Sequence, residues 1–198
     1  MTKSNSGFLP TALATLMLST SPVSASSASW LRLGAETSRP YGHVEYCTRH
    51  AADCGVRKHR RSLPPARLAI LSKVNIAVNR AIKPVSDESQ HGQLEVWTVG
   101  ATAGDCEDYA LEKRSQLLRL GYEPQNLLLA MSHTGIEYHT VLVARSRAGD
   151  FILDNLTDAV VPVSASSLEF IKVQSPDYGG NWLKVTGRTL TAPQTARL

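Results

Sequence analysis

The sequence predicts an α+β domain in which helices pack on a mainly antiparallel sheet. Two stretches, Ala66–Ile82 and about 106–120, carry helical apolar spacing and lie early in the chain. From Leu127 onward the chain breaks into short aliphatic and β-branched runs separated by turn residues. Helices clustered before a run of strands favour α+β over an alternating parallel order. A further observation adds chemistry to that frame: Gly104-Asp105-Cys106-Glu107-Asp108-Tyr109-Ala110 puts a cysteine where the second helix begins.

The first 28 or so residues read as a signal peptide and not as part of the fold. Lys3 supplies a weak positive start, Phe8 to Leu18 is a short apolar run, and Val23-Ser24-Ala25 has the small residues of a cleavage site, with Ala28 a second candidate. Pro10 and several threonines interrupt the run, which is too short to span a bilayer, so export is expected over a retained membrane anchor. The mature chain then starts near Ser26, and 29–198 forms one domain with its core at about 66–185.

Trp30–Ser38 reads as a short extended piece and Pro40–Gly55 as loop and turns around Cys47 and Cys54. For an exported chain with three cysteines, a small-loop disulfide between those two is the natural pairing and leaves Cys106 free. The rival is a zinc site, since His43, Cys47, His50, Cys54 and His59 are crowded together, although their spacing matches no common C-x-x-C pattern. The net charge of +4 is modest, and its densest part, Arg57-Lys58-His59-Arg60-Arg61, is not interleaved with aromatics. It reads as a solvated linker before Pro64-Pro65, with a patch for an acidic partner as the alternative, and argues against a nucleic-acid surface.

In the first helix Ile70, Val74, Ala77, Val78 and Ala81 recur at three- and four-residue steps, and Pro84 stops it. Residues 84–103 are polar and glycine-containing, a long surface connection that includes Trp97 and could flank a site. The second helix has Gly104 as a turn, Asp105 as N-cap, Asp108 able to reach back to the cap N–H, Ala110, Leu111, Leu117, Leu118 and Leu120 mostly on one side, Lys113 and Arg114 in its middle, and Gly121 as its stop. Strands follow at Leu127–Met131, Tyr138–Arg145 and Asp150–Leu156, with weaker candidates at Val160–Val163, Phe170–Gln174 and Trp182–Val185.

A thiol at a helix N-terminus gains from free N–H groups and the positive end of the dipole. If the turn Ser146-Arg147-Ala148-Gly149 closes an even-residue loop, His139 and Asp154 share one sheet face on neighbouring strands. Thiol, imidazole and carboxylate then suggest a nucleophile, a base and an orienting group. The acids Asp105, Glu107 and Asp108 beside Cys106 oppose thiolate formation, which a bound calcium ion would relieve; the bland alternative is first-turn acids facing water.

These motifs, with His139-Thr-Val-Leu-Val and Phe151-Ile-Leu-Asp154-Asn155-Leu, resemble the bacterial transglutaminase-like cysteine peptidases, a family that includes LapG-type periplasmic proteases. The resemblance covers about residues 66–185. It implies a papain-like, transglutaminase-type core with Cys106 as nucleophile, His139 as base and Asp154 as its orienter. It further implies periplasmic location, calcium held by Asp105 and Glu107 with Asp108 a further candidate, and cleavage of a surface adhesin under an inner-membrane cyclic-di-GMP receptor. The family tends to carry Asp two residues before the loop tryptophan and Thr-Pro after it, where this chain reads Glu95-Val96-Trp97-Thr98-Val99. Acyl transfer to an amine, and a binding module without turnover, stay open beside hydrolysis.

Overall fold

A computed structural model describes Met1 and residues 28–57 and 63–190. The expected signal peptide lies almost wholly outside those residues, as does all of the basic cluster except Arg57. Chain order runs β1 (Trp30–Thr37), α1 (Tyr41–Arg49), a 3-10 turn (Ala51–Cys54), α2 (Leu68–Ala81), β2 (Lys83–Pro84), α3 (Asp87–His91), β3 (Ala103–Gly104) and α4 (Cys106–Arg119). Then come β4 (Leu127–His133), β5 (Tyr138–Ser146), β6 (Gly149–Leu153), β7 (Val161–Pro162), β8 (Glu169–Gln174) and β9 (Trp182–Thr189).

The main sheet has the order β1-β9-β8-β4-β5-β6-β7, and every neighbouring pair is antiparallel. Both of its faces are buried. Along β4, Leu127 and Leu129 face the helices and join Leu71, Val78, Leu111, Leu117 and Trp182. Leu128 and Ala130 face the other way, against Val141, Val143, Ile152, Val173 and Leu31. Burial on both sides explains why these strands read as continuous apolar runs rather than as alternating ones. The start of β1 lies against the β5–β6 hairpin: the Trp30 indole donates to the Ser146 carbonyl at 2.9 Å, and the Leu31 N–H donates to the buried Asp150 carboxylate at 2.9 Å.

Three sequence expectations are corrected. Pro40–Gly55 is α1 and a 3-10 turn instead of loop. Its buried face is made by Gly42, His43 and Tyr46 with no aliphatic residue among them, and the cysteine pair ties it to the following turn. The connection 84–103 is not featureless: Ser86 accepts from the Ser89 N–H to cap α3, Gly92 ends it at φ 65°, and β2 pairs in parallel with β3. Trp97, expected on that surface, is in the core at 1% exposure. Finally, α4 is not one-sided. It buries Glu107, Asp108, Lys113 and Arg114 as well as its leucines, because it is sandwiched between the sheet, α2 and the 94–104 segment.

Candidate active site

Cys106 is the first residue of α4. Gly104 is required two residues earlier, because a Cβ there would lie 1.9 Å from the Asp108 carboxylate. Asp105 occupies the N-cap position without a capping bond from its side chain. Its carboxylate accepts instead from the Asp87 N–H at 3.2 Å. Asp108 faces back toward the Asp105 N–H, which favours its charged form, while its 2.7 Å bond comes from the Thr98 N–H. Neighbouring N–H groups thus take the Asp105 carboxylate away from the cap and share that of Asp108 between cap and loop.

The Cys106 thiol is half-buried, donates to Glu107 Oε2 at 3.0 Å and accepts from the Thr140 N–H at 3.3 Å. Burial first, then the Glu107 charge and its hydrogen bond, push the thiol well above its ordinary pKa. Burial and the neighbouring carboxylates thus act together against the thiolate, the second of these in the direction expected from the flanking charges.

His139, on β5, is buried beside Thr140. Its Nε2 lies 2.8 Å from Asp154 Oδ1. The β5–β6 register pairs Ser146 with Gly149, leaving the two-residue loop Arg147-Ala148, so the even-loop condition holds and the two side chains share a face. Asp154 follows the last residue of β6, accepts from the Leu156 N–H at 2.9 Å, and is held through its carbonyl by the Asn79 amide at 3.0 Å. Burial raises its pKa, but the bonds from His139 and Leu156 and the His139 and Lys113 charges bring it below the usual carboxylate value. Cys106 and His139 line one cleft of about 620 Å³ whose walls include Leu94, Tyr138 and Leu156.

Carboxylate oxygens of Asp87, Asp105 and Glu107 lie within 4.8 Å of one another. Asp87 Oδ1 and Asp105 Oδ1 are buried without a hydrogen-bond partner. Burial raises the Asp87 pKa, and burial together with the Asp105 charge pushes Glu107 up to about 8. Such a set of crowded, unsatisfied oxygens fits a hard cation. Asp108, expected among them, is not in the group; burial pushes it up to about 7 and its shortest bond goes to the loop. Asp87 was missed from the sequence. It arrives through the β2–β3 pairing, extended by the Val85 N–H on the Gly104 carbonyl at 3.0 Å, which sets residue 87 beside 105. Asn79 was also missed; its only sequence signal is a polar residue spaced i, i+4 from the buried Asn75 on an apolar helix.

Cys47 and Cys54 form a disulfide, S–S 2.03 Å, and Cys106 is the free cysteine. His43 lies near the pair, but its Nδ1 accepts from the Trp182 indole at 3.0 Å, and His50 stacks on Tyr46 at 4.4 Å. With both sulfurs joined to each other, the zinc alternative loses its thiolates.

Residues 33–189 match the family described as bacterial transglutaminase-like cysteine proteinase, BTLCP. The chain belongs to that family. Among solved structures, calcium-bound LapG of Legionella pneumophila matches with TM-score 0.50 and 25% identity, over 58% of this chain and 67% of that one. LapG of the same organism matches with TM-score 0.49, and its EGTA-treated form with 0.47, each at 25% identity; they cover 58% of this chain, and 67% and 66% of theirs. A search of curated protein sequences returns no match. As a member of the BTLCP family the chain is a transglutaminase-like cysteine peptidase with a mixed helix and antiparallel-sheet fold. No helix among the described residues is long and apolar enough to cross a membrane.

Proposed function

We propose that this BTLCP member is an exported, calcium-dependent endopeptidase in which Cys106 is the nucleophile, His139 the base and Asp154 its orienting partner. The observation that carries the reading is the 2.8 Å His139–Asp154 bond in the same cleft as a cysteine at a helix start. With Asp154 on Nε2, Nδ1 is the nitrogen left for the thiol proton. The thiolate then attacks the scissile carbonyl, and the Cys106 N–H at the start of α4 is placed to donate to the oxyanion. His139 returns the proton to the leaving amine, and water releases the acyl group from sulfur.

Asp87, Asp105 and Glu107 would hold the cation, which supplies positive charge against the acids that keep the thiol protonated. Calcium is the ion proposed because the LapG structure that matches this chain is calcium-bound. The substrate proposed is a surface adhesin, met in the periplasm and released under control of an inner-membrane receptor.

Cys106→Ser should abolish turnover while leaving the fold intact, since a hydroxyl is nearly isosteric but far less ionised. Retained turnover in the folded variant would remove Cys106 from the mechanism. Proteins released from cells with the wild-type and the serine chain should differ by the substrate; identical surface and released fractions would defeat the adhesin assignment.

A further inference from the structure

The loop that grips the acids beside the nucleophile is itself held from behind by α1. Gly42 and Arg49 stand seven residues apart on that helix, two turns along one side. A Cβ on Gly42 would overlap the Trp97 indole and the Glu95 carbonyl, so the helix backbone lies directly against the strip 95–97. At the second contact Arg49 Nη2 donates to the Trp97 carbonyl at 2.9 Å. Glu95, where the strip begins, has φ 62° and is the one non-glycine residue with positive φ among the described residues. Such a conformation persists only where its surroundings hold it.

The other side of the strip meets the acids. The Val96 N–H donates to Asp87, and the Thr98 N–H donates to Asp108 at 2.7 Å. Asp87 belongs to the group of three carboxylates fit for a cation, and its own N–H donates to Asp105 at 3.2 Å. In turn α1 is fastened to α4, because the disulfide joins Cys47 to Cys54, and Asp53 beside it accepts from the Tyr46 hydroxyl at 2.6 Å and from Arg114 of α4 at 2.8 Å. The contacts close a ring: from Arg114 across α1 to the strip, and from the strip back to the first turn of α4.

We propose that α1 is a brace for the cation site and that Arg49 is a positioning residue: its bond to the Trp97 carbonyl keeps the strip where Asp87 meets Asp105 and Glu107. The inference rests on the reading of those three acids as cation ligands. Calcium affinity depends on how rigidly the oxygen ligands are preset, and Asp87 is the one of the three that does not sit at the start of α4. An arginine in the last turn of a helix ordinarily serves the dipole. This one takes a carbonyl 48 residues away.

Calcium titration by calorimetry in the Cys106→Ser protein reads the brace apart from turnover. Arg49→Met removes the donors and should weaken calcium binding about five- to tenfold, the worth of one hydrogen bond from a charged donor open to water. Gly42→Ala pushes the strip off the helix at the other contact and should weaken binding at least as much. Val163→Ala, which opens a cavity in the core on the other face of the sheet, should lower stability and leave calcium affinity unchanged. Wild-type affinity in a folded Arg49→Met or Gly42→Ala protein would overturn the brace, and so would an equal loss in Val163→Ala, which would make the effect one of general destabilisation. Absence of calcium binding in the Cys106→Ser protein itself would defeat the cation reading and the brace together, whereas intact binding there beside an unaffected Arg49→Met defeats the brace alone.

Discussion

Replacing His43 by glutamine should flatten the fall of stability below neutral pH. The ring is fully buried between Trp97 and Trp182, with centroids 5.5 and 5.4 Å away, and the Trp182 indole donates to Nδ1. Burial, with the charges of Arg114, Arg39 and Arg57, lowers its pKa from 6.5 to about 3. Between those values the unfolded chain binds a proton that the folded ring refuses, so the stability held in full above 6.5 is lost as pH falls toward 3. At pH 5 the loss is about 2 kcal/mol, from the 1.5 pH units below the unfolded value at about 1.4 kcal/mol each. Glu107 and Asp108, pushed up to about 8 and 7, act in the opposite direction. They are common to both proteins and cancel in the difference. Urea unfolding of wild type and His43→Gln at pH 7, 6 and 5 gives that difference directly. The glutamine variant will be less stable at pH 7 from lost packing, and the gap should narrow by about 2 kcal/mol at pH 5. Parallel curves would refute a neutral buried imidazole.

The disulfide closes a short segment of sequence separation 7, so the Cys47→Ala/Cys54→Ala double variant should lose about 2–3 kcal/mol in denaturant titration. Intact-mass analysis of unreduced wild-type protein should show that linkage alone. Asp87→Asn in the Cys106→Ser background should weaken calcium binding in calorimetry far more than Asp108→Asn; equal losses would put Asp108 back among the ligands. Asn79→Ala removes amide donors to the carbonyls of Asp154 and Thr157. It should lower kcat severalfold and stability by about 1–2 kcal/mol, with no change in the calcium titration.

What could be read from residue order was what depends on local rules. Cys106 at a helix start follows from glycine and aspartate before it, and the shared face of His139 and Asp154 follows from strand alternation across a two-residue turn. The strands β4 to β6 announced themselves because burial on both faces demands an unbroken apolar run. The parts that stayed hidden depend on contacts distant in sequence. Nothing in the composition of α1 separates it from a loop, since its helix is fixed by Tyr46 on Asp53 and by Asp53 on Arg114 of α4. Asp87 carries no motif of its own and becomes part of the acid group only when two-residue strands at 83–84 and 103–104 pair. Lys113 and Arg114 are charged residues that composition alone sends to solvent, yet α4 is central to the fold and both are buried.

Two of the three tryptophans, Trp97 and Trp182, stand 6.3 Å apart at 71° and grip His43 between them, while Trp30 lies elsewhere on the sheet, bonded to Ser146. Trp97 belongs to the same strip of loop as Val96, whose N–H is taken by Asp87, and Thr98, whose N–H is taken by Asp108. The indole pair is therefore an intrinsic optical gauge. Its exciton signature in near-ultraviolet dichroism depends on an angle set at one end by β9 and at the other by the acids beside the nucleophile. Rearrangement around Cys106 can thus be followed without attaching a dye and without waiting for a bond to be cut.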